Sequence, residues 1–520
     1  MAYVPMCLIN FFTMRYKNLL LAFCMLASSA VFAQTPTVKP IADGNEKFLG
    51  SAWSTGQNTN FQNYWNQITP ENGGKWGSVE GTRNVMNWSS MDASYALAKK
   101  YNMLFKAHTL IWGAQQPSWI ATLDTASQRQ EIEQWFSLQA ARYPDMAYID
   151  VVNEPLHNAP NGMLPWGSTT KNVDYAKALG GAGVTGWDWI IKSFRMARKY
   201  FPKSKLIINE YSVINSSTET QKYIKIIKLL QAENLIDGIG EQAHAFTTAG
   251  TSATTLKANL DALGATGLPI YLTEMDIDGA TDLIQLNEMK RVFTVFWKHP
   301  AVKGITMWGF RVGLWRNDQK AYLINSNGTE RPALKWMRAY VNDSLVNTSS
   351  IAVSASDGST TISTKGAFLN MVANVLPLNT TIPNVTWTAA PTTLATIDAT
   401  GKLTALANGT VTVTATAWDG SGIKGTVSII ISNQTTGISE KELAEKITVF
   451  PNPAVNGNFT INGIENIERI ELVNLIGEKV TGYDNLNQSS INIQVNVPEG
   501  IYILNLFDGK QSVIKKIVIK

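Results

Sequence analysis

Two glutamates stand out by what precedes them. Residues 148–155 read Tyr-Ile-Asp-Val-Val-Asn-Glu-Pro, a buried strand of branched residues halted by Pro155, which cannot donate to a sheet ladder. Asn153 and Glu154 are thereby left at the strand's C-terminal lip. Residues 268–274, Leu-Pro-Ile-Tyr-Leu-Thr-Glu, follow the same pattern and end on Glu274. Two strand-end carboxylates are the equipment of glycosidic bond cleavage, one as proton donor and base, the other as nucleophile or base.

Positioning such a pair needs a scaffold that brings distant strand ends to one face. Between residues 40 and 345, strand-like runs at 47–52, 66–69, 104–110, 147–153, 205–209, 238–243, 269–273 and 302–308 alternate with helical spacing, clearest over 128–142, 187–200 and 218–233. That alternation predicts an α/β fold with a parallel sheet, and eight strands in roughly 300 residues fit a (β/α)8 barrel. A doubly wound open sheet is the alternative, but it would not gather strand-end residues from the whole segment. The other strand ends carry polar or aromatic groups: Glu71, Asn72, Lys75 and Trp76; His108 and Trp112; Asn209, Glu210 and Tyr211; Gln242 and His244; Trp308. Converging on one face, they would line a polar, aromatic-walled cleft.

The chain has 520 residues, 45% apolar and 16% charged, with 16 Trp, 16 Tyr and a net charge of +4. The slight charge and the lack of a basic block argue against nucleic acid as a partner. Rings in a charge-poor chain suit stacking on pyranose faces or large aromatic cores. The two cysteines, Cys7 and Cys24, fall in an N-terminal stretch where Arg15 and Lys17 precede an apolar run from Leu19 to Val31 and then Ala33. This reads as a signal peptide over 1–33, with Met14 a better start than Met1. A membrane anchor is the competing reading, but the run is short for a span of about 20 residues. The four histidines have no metal-ligand spacing, so neither metal nor cofactor is expected. Glu210 reads evenly as hydrogen-bonding support or a residue without a role, His157 as a possible cleft-rim residue and Asp276 as support or a loop cap. Trp119, Trp135, Trp187 and Trp189 read as packing residues.

The segments ITPENGGKW, HTLIWGAQQPSW, DVVNEP, IDGIGEQAH, LPIYLTEMDI and GITMWGF make residues 47–340 resemble family 10 of the glycoside hydrolases, the endo-β-1,4-xylanases. The resemblance implies retaining, internal cleavage of xylan. Residue by residue it makes Glu154 the acid/base and Glu274 the nucleophile. It makes His244 the histidine bonded to the nucleophile and Asn153 the partner of the sugar 2-OH. It places His108, Trp112, Gln242 and Trp308 around the reacting sugar, Glu71, Asn72 and Lys75 in the next glycone subsite, and Trp315 as an aromatic lid. The chain departs from the family pattern at Ile149, Gly113, Glu210 and the stretch Phe310-Arg311-Val312-Gly313 without losing a catalytic group. A β-1,4- or mixed-linkage glucanase, or a non-catalytic polysaccharide-binding protein, are the alternatives.

After residue 345 the composition turns to Thr, Ser, Ala, Val and Gly in alternating runs such as 410–415, predicting small all-β sandwiches. Residues 351–432, with VTWTAAPTTLATIDATGKLTALANGTVTVTATAWDGSG, resemble a bacterial Ig-like domain of group 2, with Trp387 in its core and a spacer role. Residues 434–445 read as a polar linker. Residues 447–520, with VFPNP, NLIGE, GIYIL and a basic tail, resemble the C-terminal sorting domain of the type IX secretion system. That implies the outer-membrane secretion machinery as a partner, a secreted or cell-surface location and no stable membrane insertion.

Overall fold

In the computed structural model, residues 38–165, 167–434, 440–486 and 488–520 are described. The expected signal peptide and both cysteines lie outside them. Of the described residues, those in 38–347 with 379–382 form one unit, and those in 348–378 and 383–520 form another.

Eight parallel strands close the first unit into a barrel in sequence order. They are β1 Phe48–Trp53, β2 Gln67–Pro70, β3 Leu104–Ile111, β4 Tyr148–Asn153, β5 Lys205–Glu210, β6 Gly238–Glu241, β7 Ile270–Met275 and β8 Val302–Met307. The ring is completed where Phe48 to Ser51 of β1 pair with Gly304 to Met307 of β8. An open sheet is therefore ruled out. Helices run outside the strands and start where their caps dictate. Asp124 accepts from the Ala126 and Ser127 amides to open Thr125–Arg142, and Ser216 and Thr281 cap Ser217–Gln231 and Asp282–Lys298. The helix expected at 128 thus begins three residues earlier, at the cap.

Two kinds of interior hold the barrel. At its N-terminal end Phe48, Tyr148, Ile207 and Tyr271 form an apolar plug. Higher up, the inward side chains are polar and satisfy one another, as buried polar groups must. Thr306 donates to Gln67 at 2.8 Å and Gln67 to Thr69 at 2.8 Å. Outside β3, the fully buried Trp135 is stacked between Trp76 and Trp88, with both ring centroids 5.7 Å away. Trp135 and Trp189 are packing residues, as their context predicts.

Among the described residues, the strands of the second unit pair antiparallel except for the short pairing of Thr361–Ile362 with Ile430 and Ile431 and an isolated bridge from Ala454 to Ile519. One four-stranded sheet runs Thr361–Ile362, Lys424–Ile431, Gly409–Ala417, Val385–Ala390, and another runs Ala395–Ile397, Lys402–Ala405, Phe368–Leu376, Ser350–Ala355. Trp387 packs against the core between them but stays partly exposed. The C-terminal region has a three-stranded and a four-stranded sheet around Phe459, Ile470, Leu504 and Ile517. Part of the expected linker is a helix, Glu440–Lys446. Its Leu443 is buried in the core of the C-terminal sheets beside Ile447, so apolar spacing overrode a polar composition.

Among the described residues no helix is long and apolar enough to cross a membrane.

Candidate active site

The C-terminal lip of the barrel collects the twelve residues to which the resemblance gives roles, whereas Trp76, also expected in the cleft wall, is fully buried against Trp135. β4 stops at Asn153, and Glu154 then takes a left-handed backbone (φ 54°) with its N–H donating to Asn209 O at 2.7 Å. That turn, uncommon for a residue with a side chain, throws the carboxyl over the barrel mouth. β7 runs two residues beyond its expected end and carries Glu274 within it, 4% exposed. β6 ends at Glu241, earlier than expected, because Ala243 has a positive φ of 58°.

Glu154 is met by neutral donors. Gln242 Nε2 donates to Oε1 at 2.8 Å, and Oε2 accepts from Trp112 Nε1 at 2.8 Å and Asn158 Nδ2 at 2.7 Å. Burial, joined by the negative charge of Glu210 and then of Glu274, pushes its carboxyl up to about 7 against the pull of Gln242 and Trp112.

Glu274 is met by cations. Burial would raise this carboxyl, but His108 and His244, with Lys106 behind them, hold it down at about 2. His244 Nε2 lies 3.3 Å from Glu274 Oε2, and Nδ1 lies 2.7 Å from Asp276 Oδ2. An imidazole between two carboxylates keeps both protons. Burial works against its charge, yet Asp276 and Glu274 drive its pKa up to about 10. His108 sits 3.9 Å from Glu274 and 3.0 Å from Asp150, and burial pushes it below its usual value against the pull of these two carboxylates.

Asn209 ties the two halves together. Its Nδ2 donates to Asn153 Oδ1 at 2.7 Å and to Glu274 Oε1 at 2.8 Å, while its Oδ1 accepts from Thr273 at 2.5 Å. Asn153 Nδ2 is left a buried donor with no partner, an expensive state unless a ligand fills it. On one flank Lys75, 6% exposed, donates to Asn72 at 2.8 Å and Gln115 at 2.7 Å and lies 5.2 Å from the centre of the Trp112 ring. Glu71 is beside it; burial raises its carboxyl against the charge of Lys75. Trp308 meets the His108 ring edge-on at 5.3 Å. Trp315 is 48% exposed, 4.8 Å from the His244 ring, and donates to Asp276 at 3.1 Å.

The description "Glycosyl hydrolase family 10" matches residues 37–340, more than half of the chain. The chain belongs to glycosyl hydrolase family 10. Beyond this family 10 region, residues 348–427 match a bacterial Ig-like domain of group 2 and 448–520 a secretion system C-terminal sorting domain. The chain is 43% identical over 296 residues to the protein named endo-1,4-beta-xylanase B of Cellvibrio japonicus, covering 56% of this chain and 45% of that one. It is 29% identical over 259 residues to an endo-1,4-beta-xylanase of Agaricus bisporus, covering 49% of this chain and 72% of that one. Among solved structures, native xylanase 10B from Thermotoga maritima aligns with a TM-score of 0.50 at 25% identity over 58% of this chain and 97% of that one.

Several site residues had gone unassigned. Asn209 stood at a recognised strand end but had received no role. Asp150 and Lys106 are buried inside strands; Lys106 Nζ donates to Asp150 at 2.6 Å, and Asp150 meets His108. Opposite charges in two adjacent apolar strands were the available signal. Asp276 both caps a loop, accepting from the Ala245 amide at 2.6 Å, and supports His244. Glu210 is fully buried and bonded to His157 at 2.9 Å.

Proposed function

We propose that this family 10 chain is a secreted endo-β-1,4-xylanase that works by double displacement with retention. The single observation that carries this reading is the opposite poise of two buried carboxyls at one lip, with Glu154 holding its proton up to about pH 7 and Glu274 ionised from about pH 2. That is the division of labour a retaining glycosidase requires. Its relatives from Cellvibrio japonicus and Agaricus bisporus, both named endo-1,4-beta-xylanases, agree with the substrate.

In the first step a Glu274 oxygen forms a bond to the anomeric carbon as the bond to the leaving sugar's oxygen breaks, and that oxygen takes the Glu154 proton. In the second, Glu154, now a carboxylate, removes a proton from water as the water oxygen attacks the anomeric carbon and Glu274 departs. The unpartnered Nδ2 of Asn153 supplies a hydrogen bond to the adjacent sugar hydroxyl, one that strengthens as charge develops. His108, Trp112, Gln242 and Trp308 wall the reacting sugar, Glu71, Asn72 and Lys75 hold the next one, and Trp315 covers the cleft. The sorting domain, matched at 448–520, would hand the chain to an outer-membrane export machinery.

Proton NMR of xylo-oligosaccharide hydrolysis tests the reading. The β-anomer should appear first; first appearance of the α-anomer would exclude double displacement, and an absence of reducing ends from xylan would exclude the substrate. Deleting 447–520 should leave active enzyme in the periplasm, and normal export of that truncation would remove the sorting role.

A further inference from the structure

Behind the turn that presents Glu154 lies a second buried carboxylate that the double displacement does not use. Glu210 ends β5 with no exposed surface. Its Oε2 accepts from the Leu156 amide at 2.7 Å, and its Oε1 accepts from the Tyr211 amide at 2.8 Å and lies 2.9 Å from His157 Nδ1. Leu156 and His157 are the second and third residues after Glu154. The same turn is closed by the Asn158 amide, which donates to Glu154 O at 2.7 Å. Both oxygens of Glu210 therefore fasten the segment that aims the acid/base, and the Glu154 amide is held by the residue just before Glu210. The His157 side chain is 27% exposed and stacks on Tyr211, ring centroids 4.2 Å apart. Both rings line a cavity of about 680 Å³ with Leu156, Ser212 and Phe246.

We propose that Glu210 and His157 are positioning residues for the acid/base: the pair fastens the Glu154 turn and sets a charge-compensated carboxylate behind it. The inference rests on Glu154 being the acid/base. Its electrostatics follow from what surrounds the pair. Glu210 faces His157 and Glu154 from the segment after β4, its register partner Glu241 from β6, and Tyr223 from helix Ser217–Gln231. His157 faces Glu210, Glu219 of that helix and Glu154. Burial opposes the charge of His157, but these three carboxylates raise its pKa. Burial raises Glu241 well above the usual carboxylate range, and it raises Glu210 too, against the opposing pull of His157 and the Tyr211 and Leu156 amides. Negative charge on Glu210 makes Glu154 hold its proton, and positive charge on His157 moderates that effect.

Opposite signs follow for two variants, and a merely structural role would not produce them. In Glu210→Gln an amide oxygen can still accept from Leu156, but the charge is gone, so the alkaline limb of the kcat/KM–pH profile on xylan should move down by about one unit. In His157→Gln the Glu210 charge is unmoderated, so the same limb should move up by about half a unit. Opposite displacements support the proposal. Limbs that stay at the wild-type position in folded variants, or that move in the same direction, overturn it. Should Glu210→Gln fail to fold, the His157→Gln limb decides alone: upward supports, unmoved overturns. Glu154→Gln separates this question from the one beneath it. Full xylan activity in that variant would remove Glu154 as acid/base, whereas a large loss there with unmoved limbs in the other two would remove only the pair.

Discussion

Glu154 and Glu274 leave water to much the same degree, 8% and 4% exposed, yet one carboxyl is pushed up to about 7 and the other down to about 2. Glu154 is surrounded by an amide, an indole and a second amide, with the Glu210 carboxylate behind. Glu274 has the His244 imidazolium against one oxygen and an amide donor on the other, with Lys106 at the back of the barrel. Burial alone raises both. What decides the charge is whether the compensating partners are dipoles or ions. Dipoles stabilise the anion a little and leave the proton available, while a fixed cation makes the anion the resting state. A pair of chemically identical residues is thus split by its walls into a carboxyl that keeps its proton and one that stays ionised, the division that the proposed acid and nucleophile require.

The comparison breaks most severely at the ion-paired member. Glu274→Ala should lower kcat on xylan by roughly 10⁴-fold or more, because no intermediate can form. Azide should restore turnover by attacking from the vacated face, giving a product of inverted configuration at the anomeric carbon. A variant within tenfold of wild type, or an azide product of unchanged configuration, would overturn the assignment. Asp276→Asn tests the cation instead. His244 then has one carboxylate rather than two, and its hold on a second proton weakens. Wild-type Glu274 is depressed, so its charge is present above the ordinary carboxylate range and lost only as pH falls towards about 2. In the variant the acidic limb of kcat/KM should climb back towards the ordinary range; a full return to about 4.3 would leave roughly a third of the activity at pH 4, where wild type keeps nearly all of it. The linked stability has the opposite sense at the other end of the scale. His244 is raised to about 10, so its contribution is complete below its unfolded value and disappears as pH rises through about 10. Thermal unfolding of wild type should show that alkaline loss, and the Asp276→Asn variant should show less of it.

How far the walls were legible in the sequence follows the same division. Strand-end residues were readable because strands in a parallel barrel end where the apolar run ends: Pro155 marked the end of β4, and Asn153, Glu154, Gln242 and Trp308 followed from position. The ions and relays were less legible. Lys106 and Asp150 sit inside strands whose neighbours are apolar, and they meet only because β3 and β4 pair with His108 opposite Asp150. Asn209 joins Asn153 to Glu274 only because β5 lies between β4 and β7 in the ring. No local spacing carries that fact. The helix at Glu440–Lys446 was hidden for a different reason. Its sequence is polar except for the residues that face the core, and only Leu443, Ala444 and Ile447 report it.

The gentlest way to sharpen the comparison is to remove a dipole from the Glu154 side. Asn158 Nδ2 is one of two donors on Oε2, the other being the Trp112 indole, and Gln242 serves Oε1 alone. A donor to a carboxylate favours the charged form, so its loss raises the pKa. Asn158→Ala should therefore shift the alkaline limb of kcat/KM upward by about half a unit, with kcat at the optimum falling less than about fivefold. The turn itself should survive, since the Asn158 amide that donates to Glu154 O is kept. The acidic limb, which Glu274 sets, should not move. Movement of both limbs would mean that the two walls are electrostatically one environment. A shift of the alkaline limb alone would establish that dipoles tune the acid while ions hold the nucleophile.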